Sequence, residues 1–177
     1  MVAKPRPASI PKPDTKPSHV GLPRMPALYG LKSRKAYLPW RHAQERLKRS
    51  RSYWICTTRP DGRPHAMPVW GIWLDGGLYF GTARASRKAL NLASNRSVTV
   101  HLESGDDAII IEGEVSEVAD SKTLDRIVAG YTAKYPMPLM IGPENVIFRV
   151  TPRVVMAWSE KNFLGDATRW EFAAGRR

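Results

Sequence analysis

The run "RPDGRPHAMPVWGIWLDGGLYFGTARASRKALNLASN", Arg59 to Asn95, decides the fold. Pro60, Asp61 and Gly62 are turn chemistry, "HAMPVWGIWL" reads as a strand, "DGG" is a second turn, and "LYFGT" returns. With "SYWICTT" before it, the run predicts three antiparallel strands joined by tight turns, a β-meander. Pro68 has no N–H for a ladder and Gly71 has no side chain. The middle strand is therefore expected to lie at an edge, to bulge, or to be closely approached by a ligand.

Outward from the meander the pattern stays strand-rich. "WRHAQERLKRS", Trp40 to Ser50, has helical character with Ala43 and Leu47 on one face. "RSVTVHLE" and "DAIIIEGEVSEV" predict two further strands, and "NVIFRVTPRVVMAWS" and "ATRWEF" return to strands at the end. Between them "DSKTLDRIVAGYTAKY" is a helix: Asp120 or Ser121 can cap it, Leu124, Ile127, Val128 and Tyr131 share a face, and Pro136 stops it. Six or seven antiparallel strands with two or three outer helices predict a mainly β (α+β) chain, a small barrel with helices packed outside it.

Charge is unevenly distributed. Residues 1–50 carry 12 Lys/Arg against 2 Asp/Glu, whereas residues 51–177 carry 16 against 14, so the net charge of +12 belongs mostly to the N-terminal part. Residues 1–38 are rich in Pro and Lys/Arg without apolar periodicity, which predicts a disordered basic arm ahead of a domain at 39–177. A basic tail alone supports salt-sensitive, nonspecific contacts, so no specific nucleic-acid partner is expected. Neither a secretory h-region nor a membrane-length apolar run occurs, and a cytoplasmic protein is expected. The lone Cys56, in the apolar run "YWICTT", is expected to be a buried, inert thiol.

Several chemistries lack a sequence basis. His19, His42, His65 and His101 have no ligand spacing among themselves or with Cys56, so no metal site is expected. There is no nucleophile elbow and no Walker A sequence. Asp106 and Asp107 follow Ser104-Gly105 and read as a hairpin turn.

"GTARASRKALNLASN", Gly81 to Asn95, is different. Ser86, Arg87 and Lys88 stand where a strand gives way to a helix. A helix N-terminus offers free N–H groups and positive partial charge, Ser adds a hydroxyl, and Arg and Lys add a fork and a point charge. Thr82 can add a second hydroxyl. The opposing reading is an exposed charged helix start, in which each cation costs about 0.3–1 kcal/mol against the helix dipole.

The strings "TTRPDGRPHAMPVWGIWLDGGLYFGTARASRKALNLASNRSVTVHL", "IIIEGEVSEV" and "TRWEF" resemble the pyridoxamine 5′-phosphate oxidase-like split β-barrel superfamily. More narrowly they resemble its flavin/deazaflavin oxidoreductases, many of which use coenzyme F420. The resemblance covers about residues 40 to 172 and implies an FMN-binding-protein-like split barrel that works as a homodimer. It implies a phosphate held by Thr82, Ser86, Arg87 and Lys88, and a flavin-type ring along His65, Met67, Pro68, Val69 and Trp70. Trp158, Arg169 and Trp170 are implied to approach from the partner chain, or else to serve core and dimer packing. In pyridoxamine phosphate oxidases an Arg and a Lys five residues apart grip FMN, and the matching positions here are Met67 and Ile72.

These residues imply an F420-dependent oxidoreductase passing a hydride from the reduced deazaflavin to a conjugated or quinone-like small molecule. FMN is the alternative cofactor, and a non-catalytic flavin, F420 or haem carrier is the alternative role. His65 is the candidate proton donor, because its ordinary pKa lies near neutrality; solvent is the other source.

Overall fold

The computed structural model describes residues 16–173. In chain order its elements are β1 (His19–Gly21), α1 (Trp40–Arg49), β2 (Ser52–Thr58), β3 (Pro64–Leu74), β4 (Gly77–Ala83), α2 (Arg87–Ser94) and β5 (Ser97–His101). They continue with β6 (Asp107–Glu117), α3 (Ser121–Lys134), β7 (Asn145–Ser159), the one-turn α4 (Phe163–Asp166) and β8 (Thr168–Glu171). All strand pairs are antiparallel, in the order β1-β8-β7-β4-β3-β2-β5-β6, and β6 returns to pair with β7. The strands from β7 to β6 thus close a six-stranded barrel, and β8 and β1 extend it from the second half of β7.

The meander forms as its turn residues dictate. At the β3–β4 turn Asp75 and Gly76 both take left-handed backbone, φ 50° and 69°, which is the geometry that matches the twist of a tight hairpin. β3 pairs with β2 over its whole paired length, Ser52 opposite Trp70 through Thr58 opposite Pro64. Its pairing with β4 is shorter, from Gly71 opposite Phe80 to Leu74 opposite Gly77. Beyond Gly71 the two strands part, β3 remaining with β2 and β4 continuing with β7 as far as Ala83. The barrel is split there, and Pro68 lies on the resulting edge.

Gly71 has a reason internal to the fold. A Cβ on it would stand 2.7 Å from the Tyr79 carbonyl oxygen. Its N–H donates to Tyr135 Oη at 3.0 Å, and its carbonyl accepts from Lys134 Nζ at 3.0 Å and from Tyr135 Oη at 2.7 Å. The end of α3 therefore caps the point where the strands part. Gly113 marks the bulge between β6 and β7, where a Cβ would lie 2.5 Å from the Thr151 carbonyl oxygen.

Two apolar clusters hold the layers. Inside the barrel α1 buries Ala43 and Leu47 completely, and Trp40 packs edge-on to Trp73, Trp170 and Phe172 at centroid separations of 6.2, 5.4 and 5.0 Å. Outside it, α3 lays Ile127 and Tyr131 over Ile72, Tyr79 and Ile147, as the helical spacing predicts. Asp120 caps α3 through Thr123 N at 2.8 Å. Cys56 is half-buried, more exposed than expected from its apolar run, and burial raises its thiol pKa.

The arm expected at residues 1–38 is described from Lys16 onward. Residues 1–15 lie outside the described residues. Residues 16–38, by contrast, follow a fixed path over the C-terminal elements. β1 pairs with β8, Arg34 donates to the Leu164 carbonyl at 2.7 Å and to that of Ala167, and Leu38 N donates to Thr168 Oγ1 at 3.0 Å. Backbone pairing with a distant strand, rather than apolar periodicity, orders this segment, and it adds an eighth strand to the expected six or seven. Among the described residues no helix is long and apolar enough to cross a membrane.

Candidate functional site

The junction of β4 and α2 forms a polar cluster. Ser86 is the N-cap of α2 and its Oγ accepts from Ala89 N at 3.3 Å. Thr82 Oγ1 stands 3.0 Å from Ser86 Oγ and accepts from Lys88 Nζ at 3.1 Å. Two hydroxyls and an ammonium thus meet at a helix N-terminus, beside the gap between β3 and β4. Partial burial lowers the Lys88 pKa. Arg87 is exposed next to it.

The cluster is cationic without local compensation. Among the described residues neither Arg87 nor Lys88 makes a salt bridge, while neighbouring Arg84 is held by Glu117 at 3.1 Å and Arg63 by Asp61 at 2.7 Å. Cations at a helix N-terminus oppose its dipole. An anion placed there would meet both the cations and the helix end.

The facing wall comes from β2 and β3. The register puts Thr57 opposite His65, Ile55 opposite Met67 and Tyr53 opposite Val69, so His65, Met67 and Val69 share the inward face of the sheet with buried Tyr53 and Ile55. Thr57 Oγ1 lies 3.4 Å from His65 Nδ1 and accepts from Asn91 Nδ2 at 2.9 Å. Asn91 is fully buried and ties α2 to this wall. Burial, then the charges of Arg59, Lys88 and Arg87, lower the His65 pKa. These effects favour the neutral imidazole over the charged one.

The structure thus gathers Thr82, Ser86, Lys88 and Arg87 with His65, and lines the gap with Met67, which is 44% exposed, and Val69. It turns Pro68 and Trp70 to the opposite face. Trp70 stacks on Tyr135 with centroids 4.9 Å apart and receives the Arg51 guanidinium 5.2 Å from its ring, so its side chain serves the α3 contact. Trp158 and Arg169 belong to the far half of the barrel. Trp158 packs edge-on to Phe163, and Arg169 pairs with Glu171. Along β7, Trp158 lies near the end opposite Val146, the residue paired with Thr82. The structure does not bring them to the cradle within one chain. Trp170 is 1% exposed and packed on Trp40, which makes it a core residue.

Sequence reading missed Thr57, Arg59 and Asn91. Thr57 and Asn91 looked like ordinary strand and helix residues, and only the register that places them against His65 reveals them. Arg59 was hidden within a run read for its turn geometry. Among the described residues, no group of three or more His, Cys, Asp or Glu side chains could hold a metal ion.

Comparison with known proteins agrees with this architecture. Residues 40–159 match the model of the pyridoxamine 5′-phosphate oxidase family. No curated protein matches the chain. Among solved structures, a conserved hypothetical protein from Mycobacterium tuberculosis is similar at 24% identity and a TM-score of 0.63, over 73% of this chain and 91% of that one. An F420 reductase is similar at 23% identity and a TM-score of 0.50, over 69% and 97% of the two chains. The haem storage protein HutZ from Vibrio cholerae is similar at 16% identity and a TM-score of 0.51, over 63% and 86%. At these identities the likeness is one of fold.

Proposed function

Because the chain belongs to the pyridoxamine 5′-phosphate oxidase family, we propose that it is an F420-dependent oxidoreductase that reduces a conjugated or quinone-like small molecule in the gap between β3 and β4. The observation that carries this reading is the hydrogen-bonded cluster of Thr82, Ser86 and Lys88, with Arg87 beside it and no carboxylate paired to either cation among the described residues. Such a cluster fits the phosphate of a flavin-type cofactor.

In this reading Lys88, Arg87, Ser86 and Thr82 hold the phosphate, and the free edge of β3 from His65 to Trp70 lies along the ring. Reduced deazaflavin, when bound, supplies a hydride equivalent. The protein supplies position, an apolar wall at Met67 and Val69, and a neutral imidazole at His65 that can donate or accept a hydrogen bond. A homodimer brings Trp158 and Arg169 of a second copy to the open side. The absence of the Arg and Lys that grip FMN in pyridoxamine phosphate oxidases favours F420 over FMN. Met67 is neutral, and Ile72 is 5% exposed and packs under α3, away from the cradle face.

Parallel titrations with F420 and FMN test the reading. Micromolar F420 binding, with FMN binding at least about tenfold weaker, supports it. Equal affinity for both cofactors points to the FMN alternative, and binding of neither overturns the proposal.

A further inference from the structure

Among the described residues beside the cradle, Arg59 is a cation that has neither a carboxylate partner nor a role in the cofactor reading. It follows β2, and the ladder continues through it, since Arg59 N donates to the Arg63 carbonyl at 2.9 Å. Strand alternation therefore sends Arg59 to the same face as Thr57, two residues back, whose hydroxyl touches His65 and Asn91. On α2, Lys88 and Arg87 stand three and four residues before Asn91, hence on the same face of the helix. The strand and the helix thus bring three cations around His65.

The turn holds only one carboxylate, and it is already engaged. Asp61 takes Arg63 through Nε at 3.0 Å and Nη2 at 2.7 Å. Arg59 Nε is buried without a hydrogen-bond partner, and among the described residues Arg59 makes no salt bridge. A buried guanidinium nitrogen without an acceptor is costly unless a ligand supplies one.

We propose that Arg59 forms a second anion subsite adjoining the Lys88 cradle, so that the groove takes a ligand carrying two neighbouring anionic groups, a phosphate followed by another phosphate or a carboxylate. This rests on the phosphate reading of the cradle. A monophosphate would satisfy Lys88 and Arg87 and leave Arg59 unpaired.

Inorganic phosphate and pyrophosphate are the probes, titrated by calorimetry into the full chain, with the His65 ring followed by NMR. Pyrophosphate should bind about tenfold or more tightly than phosphate, and either anion should raise the His65 titration midpoint. Arg59→Gln should bring the two affinities to within about threefold while leaving phosphate binding largely intact. Arg63→Gln, in the same turn, should preserve the preference, and thermal melts check that each variant is folded. Equal affinities in the parent protein, or a preference that survives Arg59→Gln, would overturn the second subsite. Loss of all anion binding in the parent would overturn the cradle along with it. A kept pyrophosphate preference with no F420 binding would sink the cofactor reading alone.

Discussion

Lys88 Nζ donates to Thr82 Oγ1 at 3.1 Å across the junction of β4 and α2. This bond turns the lysine back over the N-terminus of its own helix, where it faces the open side of the split barrel. Removing either end should loosen the cradle without touching the core. Lys88→Ala is expected to weaken F420 binding by tenfold or more, about 1.4 kcal/mol, and Thr82→Val by a smaller factor. Fluorescence titration reads the loss, and an unchanged affinity in Lys88→Ala would exclude the cradle as the phosphate site.

Trp170 and Arg169 are neighbours in sequence with opposite expected roles. Trp170→Ala should destabilise the fold by about 3–5 kcal/mol, because it empties a packed aromatic site against Trp40. Arg169→Gln should leave the core intact and, if the proposed homodimer forms the site, lower cofactor or acceptor affinity. Urea unfolding alongside titration separates the two. Cofactor binding lost by Trp170→Phe at unchanged stability would contradict the core assignment.

Tyr135 links α3 to the opening of the barrel. Its hydroxyl accepts from Gly71 N and can donate to the Gly71 or Arg51 carbonyl, each at 2.7 Å. Tyr135→Phe leaves a buried N–H without its acceptor and should cost about 1–3 kcal/mol. Chemical denaturation measures this, and a cost near zero would show that the bridge contributes nothing to the fold.

Lys134 predicts a specific pH dependence. Burial pulls its pKa from 10.5 down to about 8, while its Nζ donates to the Gly71 carbonyl and Tyr53 Oη. Between these two values the unfolded chain holds the proton and the folded chain has released it, so stability rises with pH across the window and is lost as pH falls through about 8. The stability difference between the parent protein and Lys134→Met should therefore grow in favour of the parent from pH 8 to 10. A flat difference over that range would contradict the burial of this amine.

His65 should titrate below its ordinary 6.5 in the ligand-free protein. Burial is the first cause and the charge of Arg59 the second, so Arg59→Gln should move the midpoint upward, as read by NMR. A midpoint at or above the ordinary value would place His65 outside the cationic field.

Local chemistry made part of this molecule legible before its structure. Asp75-Gly76 specified its hairpin because it tolerates left-handed backbone, Ser86 capped its helix, and Leu124, Ile127 and Tyr131 marked the buried side of α3. β1 was not legible. His19, Val20 and Gly21 have no pattern of their own and become a strand only through partners at Arg169 to Glu171. Trp70, expected along the ring, and Trp170, left between a ligand role and packing, show a related limit, since an aromatic residue in a strand suits a ligand face or a core equally well and only register decides. At the site, the cations contiguous in sequence were readable, whereas Arg59, Thr57 and Asn91 join them through strand pairing and a helix contact.

The fifteen residues of β7 pair with β6 along one side and, in succession, with β4 and β8 along the other. Neither half of this strand can detach while the other stays in place without breaking the β6 ladder. Its hydrogen-bonded amides should therefore exchange with deuterium together, at the rate of whole-molecule opening. β1 and the parted end of β3 should exchange earlier, which would leave β7 as the slow-exchanging spine joining the cradle to the C-terminal face.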